Sequence, residues 1–394
     1  MTNYPQLKIK DDRLAAIQRR HPWIFSRGIL KHKPIEDGEI VEIISRQGHF
    51  QAIGYYQDGS IMVRVLTFIQ EEIDDKFWLD KIQEAYQLRK KLGIISDQTN
   101  AYRLLHGEGD GLPGLVVDIY ASIAVIQCHA IGMHRQLPAI QRALEKVLGD
   151  QITTIYDKSK NTLPDQYSSN ITNQAIKGEA TETDILENGH RFHVDLITGQ
   201  KTGFFLDQRD NRAALSHFSK NKTVLNLYCY TGGFSVYALE AGAKKVLSID
   251  ASKTAVALME KNIAMTNYAD RHESLVQDVN QYLKEIPTGV YDTIIVDPPA
   301  FAKSVRKKHN AIQAYKRVNS MALQKLKPGG ALFTFSCSQV IDQQLFYDTI
   351  TAAAIDAGRN CRVIRHLSQG ADHPVNIFHP EGKYLKGLVL VVEG

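Results

Sequence analysis

In the C-terminal half of the chain, apolar residues fall in short runs bounded by turns. Between the runs the apolar spacing lengthens to that of helices. The runs lie near 224–228, 245–249, 273–277, 291–296, 330–336, 361–366 and 387–392. Apolar strands alternating with helices predict a mostly parallel sheet covered on both faces. From Leu196 onward the pattern therefore predicts a doubly wound, Rossmann-type α/β domain. The last two runs sit closer together than a helical crossover allows, which predicts one antiparallel strand at the sheet edge.

The N-terminal part is patterned differently. Runs at 39–44, 50–56 and 61–66 are separated by Asp37-Gly38, Gln47-Gly48 and Asp58-Gly59, and predict a β-rich barrel over residues 1–72. A helix follows at 73–92, with Phe77, Ile82, Tyr86 and Leu92 available for an apolar stripe. Strands are predicted at 102–105, 115–119, 123–128, 153–156 and 190–194, and a helix at 135–148. Together they make a small α+β domain over 73–195. The polar segment 158–183 reads as loop. The remainder, 196–394, is the α/β domain.

Composition narrows the class. Of 394 residues, 43% are hydrophobic and 23% charged, which are globular values. The four cysteines (Cys128, Cys229, Cys337 and Cys361) form no Cys-x-x-Cys pair, so neither a disulfide framework nor a zinc site is predicted. Cys128 and Cys361 lie in apolar strands and read as core. No signal peptide or membrane-length apolar run is present, which predicts a soluble cytoplasmic protein. The net charge of +4 is uninformative alone, but its distribution is not. Between Ala300 and Ile341 there are eight Lys or Arg residues and no Asp or Glu. With Arg19, Arg20 and Trp23 near the N-terminus, this predicts contact with a polyanion through Lys303, Arg306, Lys307 and Lys308.

Three stretches carry the chemistry. The run 224–228 leads into Cys229-Tyr230-Thr231-Gly232-Gly233 and then a helix, and the next strand ends at Asp250. A glycine turn allows close approach of a ligand, and an acid at the next strand end can take two ribose hydroxyls. An ordinary strand-to-helix turn also uses glycine, and it is Asp250 that favours a nucleoside cofactor. Asp297-Pro298-Pro299 follows the run 291–296 and so stands at the carboxyl end of a strand, where open α/β sheets bind ligands. Ser336-Cys337-Ser338 ends the next strand at the same edge. That position makes Cys337 the candidate nucleophile, with an accessible thiol of depressed pKa expected. Cys229, in the glycine loop, is its rival.

The chain resembles the S-adenosylmethionine-dependent methyltransferases that make 5-methylcytidine in bacterial large-subunit ribosomal RNA. The resemblance runs nearly end to end. It rests on Arg20-His21-Pro22-Trp23, Gly109-Asp110-Gly111-Leu112-Pro113-Gly114, the stretch from Lys201-Thr202-Gly203 to Asp207-Gln208-Arg209, and Tyr230-Thr231-Gly232-Gly233-Phe234. Asp297-Pro298-Pro299, Ser336-Cys337-Ser338, Ala371-Asp372-His373-Pro374 and Tyr384-Leu385-Lys386-Gly387 complete it. The resemblance implies a PUA-like RNA-binding domain, a small α+β domain and a class I methyltransferase domain with a mostly parallel seven-stranded sheet. It also implies Cys337 as nucleophile and Asp297 beside the base. The implied cofactor pocket takes in Phe205, Asp207, Gln208, Arg209, Asn226, Tyr228, Tyr230, Thr231, Gly232, Asp250, Ala251, Ser252, Asp278 and Asp297. Large-subunit ribosomal RNA is the implied partner, and a homodimer stays open. Many RNA cytosine-5 methyltransferases carry a second cysteine after the prolines, where this chain has Ala300, so the base that takes the carbon-5 proton is not a cysteine there.

Other readings keep parts of this pattern. A guanine methyltransferase shares the Asp-Pro-Pro loop without needing a nucleophile. An RNA-binding assembly factor would keep the cofactor pocket but not transfer a methyl group. A nicotinamide oxidoreductase lacks support, because the first turn has no Gly-x-Gly-x-x-Gly.

Overall fold

The computed structural model describes residues 4–302 and 304–393. Lys303, one of the residues expected to touch RNA, lies outside them. The chain forms two compact units. One comprises the residues up to Thr183 together with Ala371–Gly382, and the other Asp184–Gly370 together with the residues from Lys383 onward.

The first unit contains two five-stranded sheets. One uses Ile40–Ile44, Phe50–Tyr56 and Ile61–Thr67 as antiparallel neighbours, with Gln6–Lys8 and Trp23–Phe25 added at its two sides. Those two short strands escape the apolar pattern because each has only three residues. Leu7, Val41, Ile43 and Val63 are fully buried between them. The other sheet is formed by Ala101–His106, Leu115–Tyr120, Ile123–Cys128, Thr154–Asp157 and Gln174–Lys177. Asp74 caps the helix Asp75–Lys91 by accepting from the Phe77 amide at 2.9 Å. At its far end Arg89, with no exposed surface, forms a bidentate pair with Asp110 and donates to the Asp372 carbonyl. The segment 158–183, expected as loop, instead holds a short helix at Asp165–Ser168 and the strand Gln174–Lys177. That strand pairs on one side only, so its polar residues remain in water and its sequence carries no apolar signal.

The second unit is built on a seven-stranded sheet. In chain order its strands are β1 (Thr223–Leu227), β2 (Lys245–Asp250), β3 (His272–Val276), β4 (Tyr291–Val296), β5 (Leu326–Ser336), β6 (Cys361–Leu367) and β7 (Lys386–Val392). The helices between them are α1 (Gly233–Glu240), α2 (Lys253–Ala264), α3 (Val279–Glu285), α4 (Lys308–Lys325) and α5 (Gln343–Ala357). The spatial order is β3-β2-β1-β4-β5-β7-β6, and the first five strands are parallel. The antiparallel strand is β7, which lies between β5 and β6 rather than at the edge where the sequence spacing placed it. Burial explains the insertion. Leu388, Val389 and Leu390 are at most 4% exposed, while β6 carries Arg362 and Arg365 and keeps most of its residues in water. Leu225, Ile294, Leu323, Leu332 and Phe346 fill the core beside the sheet. Among the described residues no helix is long and apolar enough to cross a membrane.

Candidate active site

The order of strands reverses between β1 and β4, and the carboxyl ends of β2, β1, β4 and β5 line up on either side of that point. Leu227 is paired with both Ile249 and Val296, and Val296 with Thr334. The residues that follow these strands therefore share one edge, where a doubly wound sheet binds ligands.

On the β1–β2 side, the turn from Tyr228 to Gly232 is tightly wound. Tyr228, Tyr230 and Gly232 have φ of 58°, 46° and 76°. Two tyrosines in the left-handed region are strained backbone of the kind that binding loops retain. Gly232 also has no room for a side chain, since a Cβ there would stand 2.5 Å from Met259 Cγ. Asp250 secures the turn by accepting from the Tyr230 amide at 3.0 Å and the Ser252 amide at 2.9 Å. It stays half-buried, with lone pairs left over for hydroxyls. Asp278 is exposed and caps α3 through the Gln281 amide. Burial first, and then the charges of Asp278 and Asp250, raise the pKa of the Tyr228 phenol. Tyr230 packs edge-on against Phe205 with ring centroids 5.0 Å apart, and its hydroxyl accepts from the Gln200 amide at 2.7 Å. An acid flanked by aromatic rings at a strand end fits the adenosine part of S-adenosylmethionine. Asp250, Tyr228, Tyr230, Phe205 and Asp278 are the residues that would hold it.

Other expected pocket residues serve different partners. Asn226 is 1% exposed, and its amide donates to Ser235 Oγ in a buried chain that continues through Ser248 to His272. Thr231 is 4% exposed, and its carbonyl accepts from Asn262. Ala251 is exposed, and Ser252 caps α2 through the Ala255 amide. Arg209 points toward Glu187 at 3.8 Å, beside the bidentate pair of Arg212 with the same carboxylate.

The β4–β5 side brings together Asp297 and Cys337. Gln208 donates from Nε2 to Asp297 Oδ2 at 2.9 Å and accepts from Asn211 at 2.6 Å, which fixes the orientation of its amide. Asp297 keeps some surface in the cleft yet is ringed by protein. Burial, and then the charge of Asp207, push its pKa from the ordinary carboxylate range up to about 7. Asp207, 4% exposed, accepts from the Tyr384 hydroxyl at 2.6 Å and lies 3.6 Å from Lys201 Nζ. Cys337 is half-buried. Its thiol is not depressed as the sequence suggested. Burial, and then Asp297, raise its pKa, with Lys201 pulling the other way. The turn around it is held by the buried Ser338, whose hydroxyl lies 3.2 Å from that of Tyr315. Cys229, the rival, is 6% exposed, and burial drives its pKa well up. Cys128 is fully buried, whereas Cys361, expected in the core, is half-buried on the edge strand β6.

Lys201, Tyr384 and Lys386 belong to this site without having been singled out as site residues. Their sequence signal is their place in the stretches Lys201-Thr202-Gly203 and Tyr384-Leu385-Lys386-Gly387.

The basic residues divide. Arg306 and Lys307 are exposed and Lys308 is half-buried, whereas Lys316 pairs with Asp356, Lys327 with Asp292, and Lys325 with the Ile286 carbonyl. In the first unit, Arg13, Arg19, Arg27, His21, Trp23 and Phe25 line a cavity of about 960 Å³. Trp23 donates to Glu108 at 2.8 Å, and Arg20 is exposed with φ of 58°.

A family model for S-adenosylmethionine-dependent methyltransferases matches residues 102–365, and one for a PUA-like domain matches 7–68. The ribosomal RNA large subunit methyltransferase I of Aeromonas salmonicida is 40% identical over 384 residues, covering 95% of this chain and 96% of that protein. The protein of the same name from Shewanella amazonensis is 39% identical, covering 98% of each. Among solved structures, a putative methyltransferase of Streptococcus mutans has a TM-score of 0.83 at 24% identity, covering 98% of this chain and 100% of that one. A putative methyltransferase complexed with SAH has the same TM-score at 23% identity, with the same coverage. This chain belongs to the family of S-adenosylmethionine-dependent methyltransferases that includes the ribosomal RNA large subunit methyltransferase I proteins.

Proposed function

We propose that this methyltransferase acts on carbon 5 of a cytidine in large-subunit ribosomal RNA, through a covalent adduct with Cys337. The relatives' names support the RNA, and the observation that carries the chemistry is that Cys337, after β5, and Asp297, after the neighbouring parallel strand β4, stand at the same edge of the sheet. S-adenosylmethionine, when bound, supplies an electrophilic methyl group. Carbon 5 of cytosine is a weak nucleophile, so the Cys337 thiolate adds to carbon 6 and moves electron density toward carbon 5 and the ring nitrogen. A carboxyl with a pKa near 7 suits Asp297 to donate a proton to that nitrogen as charge builds there. After transfer, a base or water takes the carbon-5 proton, the thiolate leaves from carbon 6, and the ring nitrogen returns its proton to Asp297, which restores the ring. The base has to leave its stack to reach this edge. We assign residues 1–72 as a PUA-like RNA-binding domain, 73–195 as a small α+β domain and 196–394 as the methyltransferase domain. Arg19, Arg20, Trp23, Arg306, Lys307 and Lys308 are the proposed RNA contacts.

The test is covalent trapping. RNA carrying 5-fluorocytidine at the target should trap the wild-type protein, because fluorine does not leave as a proton does. Cys337→Ala should bind cofactor and RNA, trap nothing and transfer no methyl group, while Cys229→Ser should still trap. Full activity of Cys337→Ala would discard the adduct in favour of guanine methylation.

A further inference from the structure

Lys386 opens β7 directly opposite Ser336, the last residue of β5. Its side chain is buried, the residue being 5% exposed, and Nζ donates to the Ser338 carbonyl at 2.8 Å. The lysine backbone is thus registered with the residue before Cys337, and its ammonium holds the residue after it. A buried ammonium is costly unless something of opposite charge compensates it. Among the described residues no carboxylate forms an ion pair with Lys386, and the ionisable groups acting on it are Cys337 and Asp342. Burial lowers its pKa to about 8, which leaves the cation dominant at neutral pH.

We propose that Lys386 is a positioning residue whose charge holds the Cys337 thiolate at the end of β5. This rests on the reading of Cys337 as nucleophile. Ionisation releases one proton to water and leaves a sulfur anion that balances the buried ammonium. The groups that act on the thiol are Asp297 after β4, Asp207 and Lys201 from the segment before β1, and Tyr315 of α4, whereas the link to Lys386 is given by its bond to Ser338 and by the upward pull of Cys337 on the ammonium. Both aspartates oppose ionisation. Lys201 favours it, but it is nearly half exposed and lies near Asp207 and over the Phe205 ring. Lys386 is instead buried and bonded to the Ser338 carbonyl, one residue beyond the thiol.

The readout is the rate of Cys337 alkylation by iodoacetamide against pH, followed by peptide mass spectrometry on the full chain. Lys386→Gln keeps a donor for the Ser338 carbonyl without the charge, Lys386→Met removes both, and Lys386→Arg keeps the charge. In the Gln and Met variants, alkylation at pH 7.5 should fall about tenfold, with the profile displaced upward by about one pH unit, while Arg recovers most of the rate. Cofactor affinity by calorimetry should stay the same, showing that the fold is intact. If Met alone loses cofactor binding, Gln decides the question. A Gln profile superimposed on wild type would overturn the proposal. Alkylation does not depend on methyl transfer, so that result leaves the cytidine reading standing. Full activity of Cys337→Ala would sink the cytidine reading without moving these profiles.

Discussion

Asp297→Asn offers a direct check on the electrostatics of the site. Asn has nearly the same shape and keeps an acceptor for Gln208 Nε2, but it carries no charge. The folded protein raises the Asp297 pKa to about 7, from an ordinary value near 4. By linkage, folding then works against ionisation. The penalty is absent well below pH 4, grows as pH rises toward 7, and is constant above that. A shift of this size corresponds to about 4 kcal/mol at pH 8 in the limit of complete burial. Asp297 keeps some exposed surface, so solvent screening should leave roughly half, about 2 kcal/mol. Urea denaturation of the ligand-free protein at pH 8.0 should therefore show Asp297→Asn more stable than wild type by about this amount. The gain should shrink by more than half at pH 5.0, and methyl transfer should be lost. Equal stability at pH 8.0, or the same gain at both pH values, would refute the assignment of a buried, pKa-raised carboxyl.

Two further outcomes are expected. Asp250→Ala should weaken S-adenosylmethionine binding by roughly 1.5–3 kcal/mol in calorimetry, the range for hydrogen bonds to a charged group. Unchanged affinity would remove Asp250 from the ribose site. Replacing Arg306, Lys307 and Lys308 together should lower RNA affinity and flatten its dependence on salt concentration, with cofactor affinity unchanged. An unaltered salt slope would make these residues an ordinary solvated face.

What the sequence disclosed follows the range of the interactions involved. The unit from β1 through the glycine turn to Asp250 is local, and its apolar runs and turn residues lie within one stretch of chain, so it was legible. The same holds for Asp297 and Cys337, each placed by the strand before it. The position of β7 was not legible, because burial of Leu388, Val389 and Leu390 is decided by two strands distant in sequence. Lys201, Tyr384 and Lys386 reach the site through such long-range pairings. The acid-free run of basic residues overstated the free charge. Lys316 and Lys327 find acids elsewhere in the chain, and Lys325 is spent on a carbonyl. The depressed thiol pKa failed for a related reason, since Asp297 and Asp207 come close to Cys337 only in the folded sheet.

The insertion of β7 between β5 and β6 also sets an order of events during synthesis. When β6 leaves the ribosome it has no strand partner, and β5 is paired on its β4 side alone, because the strand that joins them is made last of the seven. Both edges stay open for pairing with other chains until β7 inserts between them. A nascent chain stalled before Lys386 would present a cofactor turn beside an unfinished sheet, and would be a ready target for chaperones or proteolysis. The same closing strand carries the lysine that anchors the Cys337 turn. A chain of this kind thus completes the turn around Cys337 only when its sheet is sealed.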